Sequence, residues 1–158
     1  MLENFQVLEN HLGKKQGKDK NLLINVIIMI IDPIGDLLTR IRNAYLARII
    51  DVKIPYSKIK VDILKILKKN KYITDYEVIT EDNKQAILVT LNNIRETKYV
   101  PTMKRLSRPG QRIYIGASDI KKSRNGHGIY IVSTPKGVVT GYEARSLNVG
   151  GELLAEVY

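Results

Sequence analysis

The chain has 158 residues, with 26 Lys and Arg against 16 Asp and Glu, a net charge of +10 and a pI near 9.7. Its 44% hydrophobic and 27% charged residues exclude wholesale disorder, and its length suits one compact unit or two small lobes sharing a core. Cysteine is absent, which excludes disulfides, thiolate zinc sites and cysteine nucleophiles, and the positive excess favours a polyanionic partner.

Residues 22–31 are an apolar run broken by Asn25. The run is about ten residues long, and a helix needs roughly 20 to span a membrane. Lys14, Lys15, Lys18 and Lys20 precede it, as in a secretory signal, but Asp32-Pro33 follows where a small-residue cleavage site is required. A transit peptide is rich in Arg and poor in acids, whereas residues 1–28 have no Arg and contain Glu3, Glu9 and Asp19. Residues 1–28 read either as a flexible extension or as a start assigned too far upstream, with Met29 as the alternative first residue.

Asp32-Pro33 is a helix start, Asp at the N-cap and Pro at the first helical position. Ile34, Leu37, Leu38, Ile41 and Tyr45 follow at helical spacing, which predicts a helix over 33–47 with Asp36, Thr39 and Asn43 on its polar face. Residues 52–55 read as a short strand. Ser57 is a second N-cap, and Ile59, Ile63, Leu64, Ile66 and Leu67 predict a helix to about Lys69 with Lys60, Lys65, Lys68 and Lys69 on its outer face. Strand-like runs at 72–79 and 85–91 flank the turn residues Glu81, Asp82, Asn83 and Lys84.

Beyond residue 97 helical periodicity weakens. Short strands are expected at 98–100, around Leu106, and at 112–115, 129–133, 138–140 and 153–158, with one helix at 142–147. The expected architecture is α+β. Residues 29–96 form an N-terminal α/β lobe and residues 97–158 a β-rich C-terminal lobe, with the boundary near 92–97.

No catalytic constellation emerges. His11 lies in the extension, and His127 sits between Gly126 and Gly128 with no serine or carboxylate at a triad or metal spacing. No Walker loop or dinucleotide-type glycine pattern occurs, so neither an enzyme nor a cofactor is expected. A hydrolase or transferase built around His127 is the competing reading. A free-standing DNA regulator lacks a helix-turn-helix signature.

Binding chemistry remains. Residues 97–158 carry a net +6, and 98–136 hold nine bases (Lys98, Lys104, Arg105, Arg108, Arg112, Lys121, Lys122, Arg124, Lys136) against Asp119 alone. Lys and Arg neutralise phosphates, whereas specific RNA recognition adds hydroxyls, amides and stacking faces. Residues 104–114 combine these: Arg105, Arg108 and Arg112 as charges, Ser107 as hydrogen-bonder, Pro109-Gly110 as turn and Tyr114 as stacking platform. Read alone, the stretch is equally a basic surface hairpin. Residues 133–137 set Ser133 and Thr134 before Pro135, Lys136 and Gly137, which read alone is also an ordinary hairpin turn. Thr39, Arg42 and Asn43, with Ser57, Lys58 and Lys60, form a further polar surface whose plain reading is a solvated helix face. The lysine-bearing helix is too short, and its apolar side too necessary to the core, to make a membrane partner.

Five stretches in this order, DPIGDLLTRIRNA (32–44), IPYSKIKVDILKILK (54–68), KRLSRPGQRIY (104–114), GIYIVSTPKGVVT (128–140) and ARSLNVGGELLAEVY (144–158), resemble the family of small ribosomal subunit protein eight, in its bacterial and organellar branch. The match spans 32–158, about 80% of the chain. The resemblance implies a two-lobed α+β fold and a non-catalytic protein of the ribosome. It implies direct binding to the central domain of small-subunit ribosomal RNA, early in assembly, beside neighbouring small-subunit proteins. In some bacteria the family also represses translation of its own operon messenger RNA. Carried over residue by residue, the implied RNA contacts are Ser133, Thr134, Lys136 and Gly137; the turn Ser107, Arg108, Pro109 and Gly110 with Tyr114; and Thr39, Arg42, Asn43, Ser57 and Lys58, beside the Arg105 charge read from the residues. The chain departs from the family's pattern at Pro135, where many relatives have Ser, and at His127, where a Leu-like residue is common. Met29 fits the family's usual start.

Overall fold

The computed structural model describes residues 32–81, 84–93 and 100–158. The readings that concern residues 1–28, Met29 and His11, together with Asp82, Asn83, Lys98 and Tyr99 and residues 94–97 of the expected boundary, lie outside the described residues.

Helix α1 runs Pro33–Ala47, and Arg48 closes it in the left-handed conformation at φ 58°. Asp32 caps it by accepting the Gly35 amide at 3.0 Å. Ile34, Leu37, Leu38, Ile41, Ala44 and Tyr45 are its buried stripe. Asp32 has a second partner: its Oδ2 lies 3.1 Å from Nε of Arg105, seventy-three residues away. A Cβ at Gly35 would sit 2.6 Å from the same Oδ2, so a side chain there would have to displace the Asp32 carboxylate.

Strand β1 (Asp51–Pro55) leads to α2 (Lys58–Lys69), then β2 (Asp75–Glu81) and β3 (Lys84–Thr90), in an antiparallel sheet ordered β1-β3-β2. Ser57 occupies the N-cap of α2, but its side chain makes no capping hydrogen bond. Strand β2 starts three residues later than the pattern at 72–79 suggests. The Tyr72 amide closes back on Leu67 O at 2.9 Å, Lys71 is left-handed at φ 61°, and the Tyr72 carbonyl accepts the Tyr45 hydroxyl at 2.6 Å. Tyr72 and Ile73 therefore anchor a turn.

Lys60 corrects the expected lysine face. It is only 2% exposed, and its Nζ lies 2.7 Å from Oδ2 of Asp36, whose Oδ1 accepts Arg40 Nε at 2.7 Å. The signal was present, since Lys60, Ile63, Leu64 and Leu67 fall on one helical stripe. A buried ammonium persists only with a close counter-charge, so the Asp36–Lys60 pair locks α1 to α2.

The C-terminal half comprises β4 (Met103–Arg105), β5 (Tyr114–Ile115), β6 (Ile129–Thr134), β7 (Gly137–Thr140), helix α3 (Gly141–Ser146) and β8 (Gly151–Val157). They form a sheet ordered β4-β8-β6-β7, with β5 also on β8. Val100 and Leu106 lie outside the strands, although the Leu106 and Ser107 amides still donate to Leu154 O and Leu153 O of β8 at 3.1 Å. Thr140 and Glu143 make a reciprocal capping box for α3. The fold is thus α+β, helix-strand-helix-strand-strand followed by a mostly β half with one short helix, as expected. A single buried cluster joins the halves, with Leu37, Ile41, Ile63 and Leu67 meeting Met103, Ile131, Leu154 and Val157.

Removing Asp36 leaves Lys60 charged and buried. Asp36→Ala is expected to destabilise the protein by about 3–5 kcal/mol, and adding Lys60→Met to recover most of that loss, both read from urea unfolding.

Candidate nucleic-acid interface

The Pro109-Gly110 turn closes on itself. Arg108 and Gln111 exchange backbone hydrogen bonds of 3.0 Å, with Pro109 and Gly110 between them. Gly110 has φ +85°, the positive value that a type II turn requires at that position. Register then pairs β6 with β7 through Thr134 and Gly137, leaving Pro135 and Lys136 as a two-residue hairpin loop with Gly137 at φ +112°. The Thr134 hydroxyl donates to Gly137 O at 2.8 Å and accepts the Lys136 amide at 3.2 Å. Only 8% of Thr134 is exposed, so it shapes the loop from within.

Strand β8 brings these parts together. Glu152 is opposite Tyr114 of β5 on one side and Ser133 of β6 on the other. Directly opposed residues of antiparallel strands share a face, so Tyr114, Glu152 and Ser133 form one row about 10 Å long across two strand spacings. Residues 114–116, 133–135 and 150–152 line a groove of about 600 Å³. Its glycines let β8 pack closely on neighbouring backbone. A Cβ on Gly150 would meet Ile115 O at 2.6 Å, and one on Gly151 would meet Ser133 O at 2.0 Å. Tyr114, 72% exposed, forms one rim; exposed Pro135 lies on the other, beside Lys136 in the hairpin loop. The Ser133 hydroxyl has no partner among the described residues.

Glu152 faces this groove as part of a neutralised cluster. Its Oε1 accepts the Ser107 hydroxyl and lies 2.7 Å from Nη1 of Arg112. Burial pushes the Glu152 carboxyl up, but the Ser107 hydroxyl and the Arg112 guanidinium together outweigh burial and hold it below the usual carboxylate range. The same pairing raises Arg112.

Several expected contacts therefore have other work. Ser107 has no exposed surface; its hydroxyl joins Glu152 and accepts the Ile113 amide at 3.3 Å. Arg105 is nearly buried, held by Asp32 and by Leu154 O at 2.6 Å from Nη1. Arg112 is half-exposed and paired with Glu152. Of the three arginines, Arg108 alone is exposed without a side-chain partner among the described residues. Thr39, Arg42 and Asn43 are exposed on α1, and Ser57 (half-buried) and Lys58 (exposed) begin α2; these lie on other elements than the groove. His127 is exposed, following the tight turn Ser123–Gly126, its amide donating to Arg124 O at 3.1 Å. In the sequence, the position of Gly150-Gly151 immediately before a β-run is the sign of a close backbone approach.

The fold is a small α+β scaffold that presents backbone, hydroxyl and cation at one sheet end. A family model for ribosomal protein S8 matches residues 32–158, and the chain belongs to that family. The chain is similar to proteins named small ribosomal subunit protein uS8. The one from Nitratidesulfovibrio vulgaris is 48% identical over 130 residues, covering 82% of this chain and 100% of the relative. That from Oleidesulfovibrio alaskensis is 45% identical with the same coverage, and that from Mycoplasmopsis pulmonis is 44% identical, covering 82% and 98%.

Because the folded Glu152 carboxyl titrates below its unfolded value, its contribution is present above the ordinary carboxylate pKa and lost as pH falls through the folded one. Glu152→Gln is expected to be less stable than the unaltered chain by about 1–2 kcal/mol at neutral pH. In urea midpoints measured across acidic pH, that gap should close; a gap independent of pH contradicts the assignment.

Proposed function

We propose that this chain is a structural constituent of the small ribosomal subunit that binds directly to the central domain of small-subunit ribosomal RNA and helps that domain assemble. It is a non-catalytic protein of the ribosome, bacterial or organellar, placed beside neighbouring small-subunit proteins. The same surface serves a second RNA, the messenger of its own operon, as a translational repressor.

The observation that carries this reading is the row Tyr114, Glu152 and Ser133, held together by the close packing of Gly150 and Gly151 on neighbouring backbone. Ser133 offers an unpaired hydroxyl, and Tyr114 a face for an unstacked base. Lys136 and Arg108 supply phosphate attraction on either side, while Arg112 cancels the one carboxylate that would repel RNA. Gly110 and Gly137 hold the two turns in the shapes that present these groups. Thr39, Arg42, Asn43, Ser57 and Lys58 make a secondary contact surface. Arg105, Ser107 and Thr134 act through the scaffold.

Ser133→Ala combined with Thr134→Ala is expected to weaken binding to a central-domain RNA fragment by about 1–3 kcal/mol and to leave binding to an unrelated RNA nearly unchanged. Filter binding or fluorescence anisotropy with both RNAs distinguishes the outcomes. Equal losses on the two RNAs contradict a specific role for the loop. Tyr114→Ala should cost about 1–3 kcal/mol if a base stacks there.

A further inference from the structure

A second basic surface lies away from the groove just described. A cleft of about 970 Å³ opens between the loop carrying Lys121 and Lys122 and helix α3, which carries Tyr142 and Arg145. Lys121, Lys122 and Arg145 are exposed and have no side-chain partner among the described residues. The cleft's carboxylate, Glu143, is already committed: Lys69 and the Thr140 cap bind it and hold it below the usual carboxylate range. The lining therefore presents three uncompensated positive charges. Tyr142 stands beside them, 82% exposed.

The two walls are built to stay together. Lys121 and Lys122 are bracketed by buried residues, Ile120 before them and Ser123 after, and the Ser123 hydroxyl donates to Glu156 at 2.8 Å. The next three residues, Arg124, Asn125 and Gly126, all have positive φ, which turns the chain sharply back toward β6. Opposite them, Gly141 seats α3 on the loop so closely that a Cβ would lie 2.9 Å from Ile120 Cγ2 and 3.2 Å from Tyr130 Cβ. A flexible lysine pair on a loose loop is ordinary surface; here the backbone of both walls is fixed and the charges converge on one concavity.

We propose that this cleft is a second RNA-binding site, holding a sugar-phosphate backbone segment against Lys121, Lys122 and Arg145 with a nucleobase on Tyr142. An unpaired cationic trio beside an exposed ring fits a phosphate strand with bases. The inference deepens the ribosomal reading and rests on it for the choice of RNA.

The test uses the full chain, a transcript of small-subunit ribosomal RNA, and affinity measured across a salt series. Lys121→Ala, Lys122→Ala and Arg145→Ala combined should lower affinity and make the slope of log K against log salt shallower by about 2–3. Ser133→Ala with Thr134→Ala should lower affinity and leave the slope as it is. Equal slopes for the triple variant and the unaltered chain would overturn the second site alone, and absence of binding by the unaltered chain would overturn the ribosomal reading with it. An independent readout is a photo-crosslinker, Tyr142→p-benzoylphenylalanine, in assembled small subunits. It should attach to RNA; attachment to protein alone overturns the proposal.

Discussion

The head of strand β8 is the point on which the candidate site depends. Glycine at 150 and 151 lets β8 close against the carbonyls of Ile115 and Ser133 at distances no side chain tolerates. One residue later, Glu152 is opposite both Tyr114 and Ser133 and also binds Ser107 and Arg112. Backbone proximity and one neutralised carboxylate thus fix three segments that are far apart in sequence, 107–115, 133–137 and the head of β8. The proline-glycine turn, the tyrosine strand and the serine-threonine hairpin have their relative positions because β8 pairs with all of their neighbours. An added methyl at Gly151 or an unpaired charge at Glu152 would shift the groove as a whole.

A second tie works the same way on the scaffold. Asp32 caps α1 and holds Arg105 of β4, while Asp36 in the first turn holds Lys60 of α2. The first turn of one helix therefore fastens both the second helix and the C-terminal sheet. These are nearly buried ion pairs, so their value lies less in net stability than in the high cost of leaving either partner alone.

Much of this was legible in the sequence, and the misses have a common cause. Asp32-Pro33 and the apolar spacing placed α1 at its observed bounds, and the C-terminal strands and short helix fell within a few residues of expectation, because caps and periodicity are local signals. Charge pairing across tens of residues is not local. Within 98–136 the count of nine bases to one acid reads as a uniformly cationic surface. Folding supplies acids from elsewhere: Asp32 for Arg105, Glu152 for Arg112, and Glu156 with the Tyr158 ring for Arg124. Lys104 lies over the Tyr158 ring, and among the described residues the other exposed positive charges of this stretch are Arg108 and Lys136, in the two turns, and Lys121 and Lys122, in the separate cleft. Ser107 misled for the same reason, since its acceptor lies forty-five residues on. Lys60 is different, because its spacing puts it on the buried stripe.

The central claim is that the groove between Tyr114 and the 133–137 loop is the surface that meets ribosomal RNA. Backbone amide chemical shifts of the isotope-labelled chain, recorded while a central-domain RNA fragment is added, test it most directly. The account predicts large shifts at Tyr114, Ser133, Lys136, Gly137 and Gly151, with β2 amides unmoved. Tight binding that leaves those five amides unshifted would contradict it.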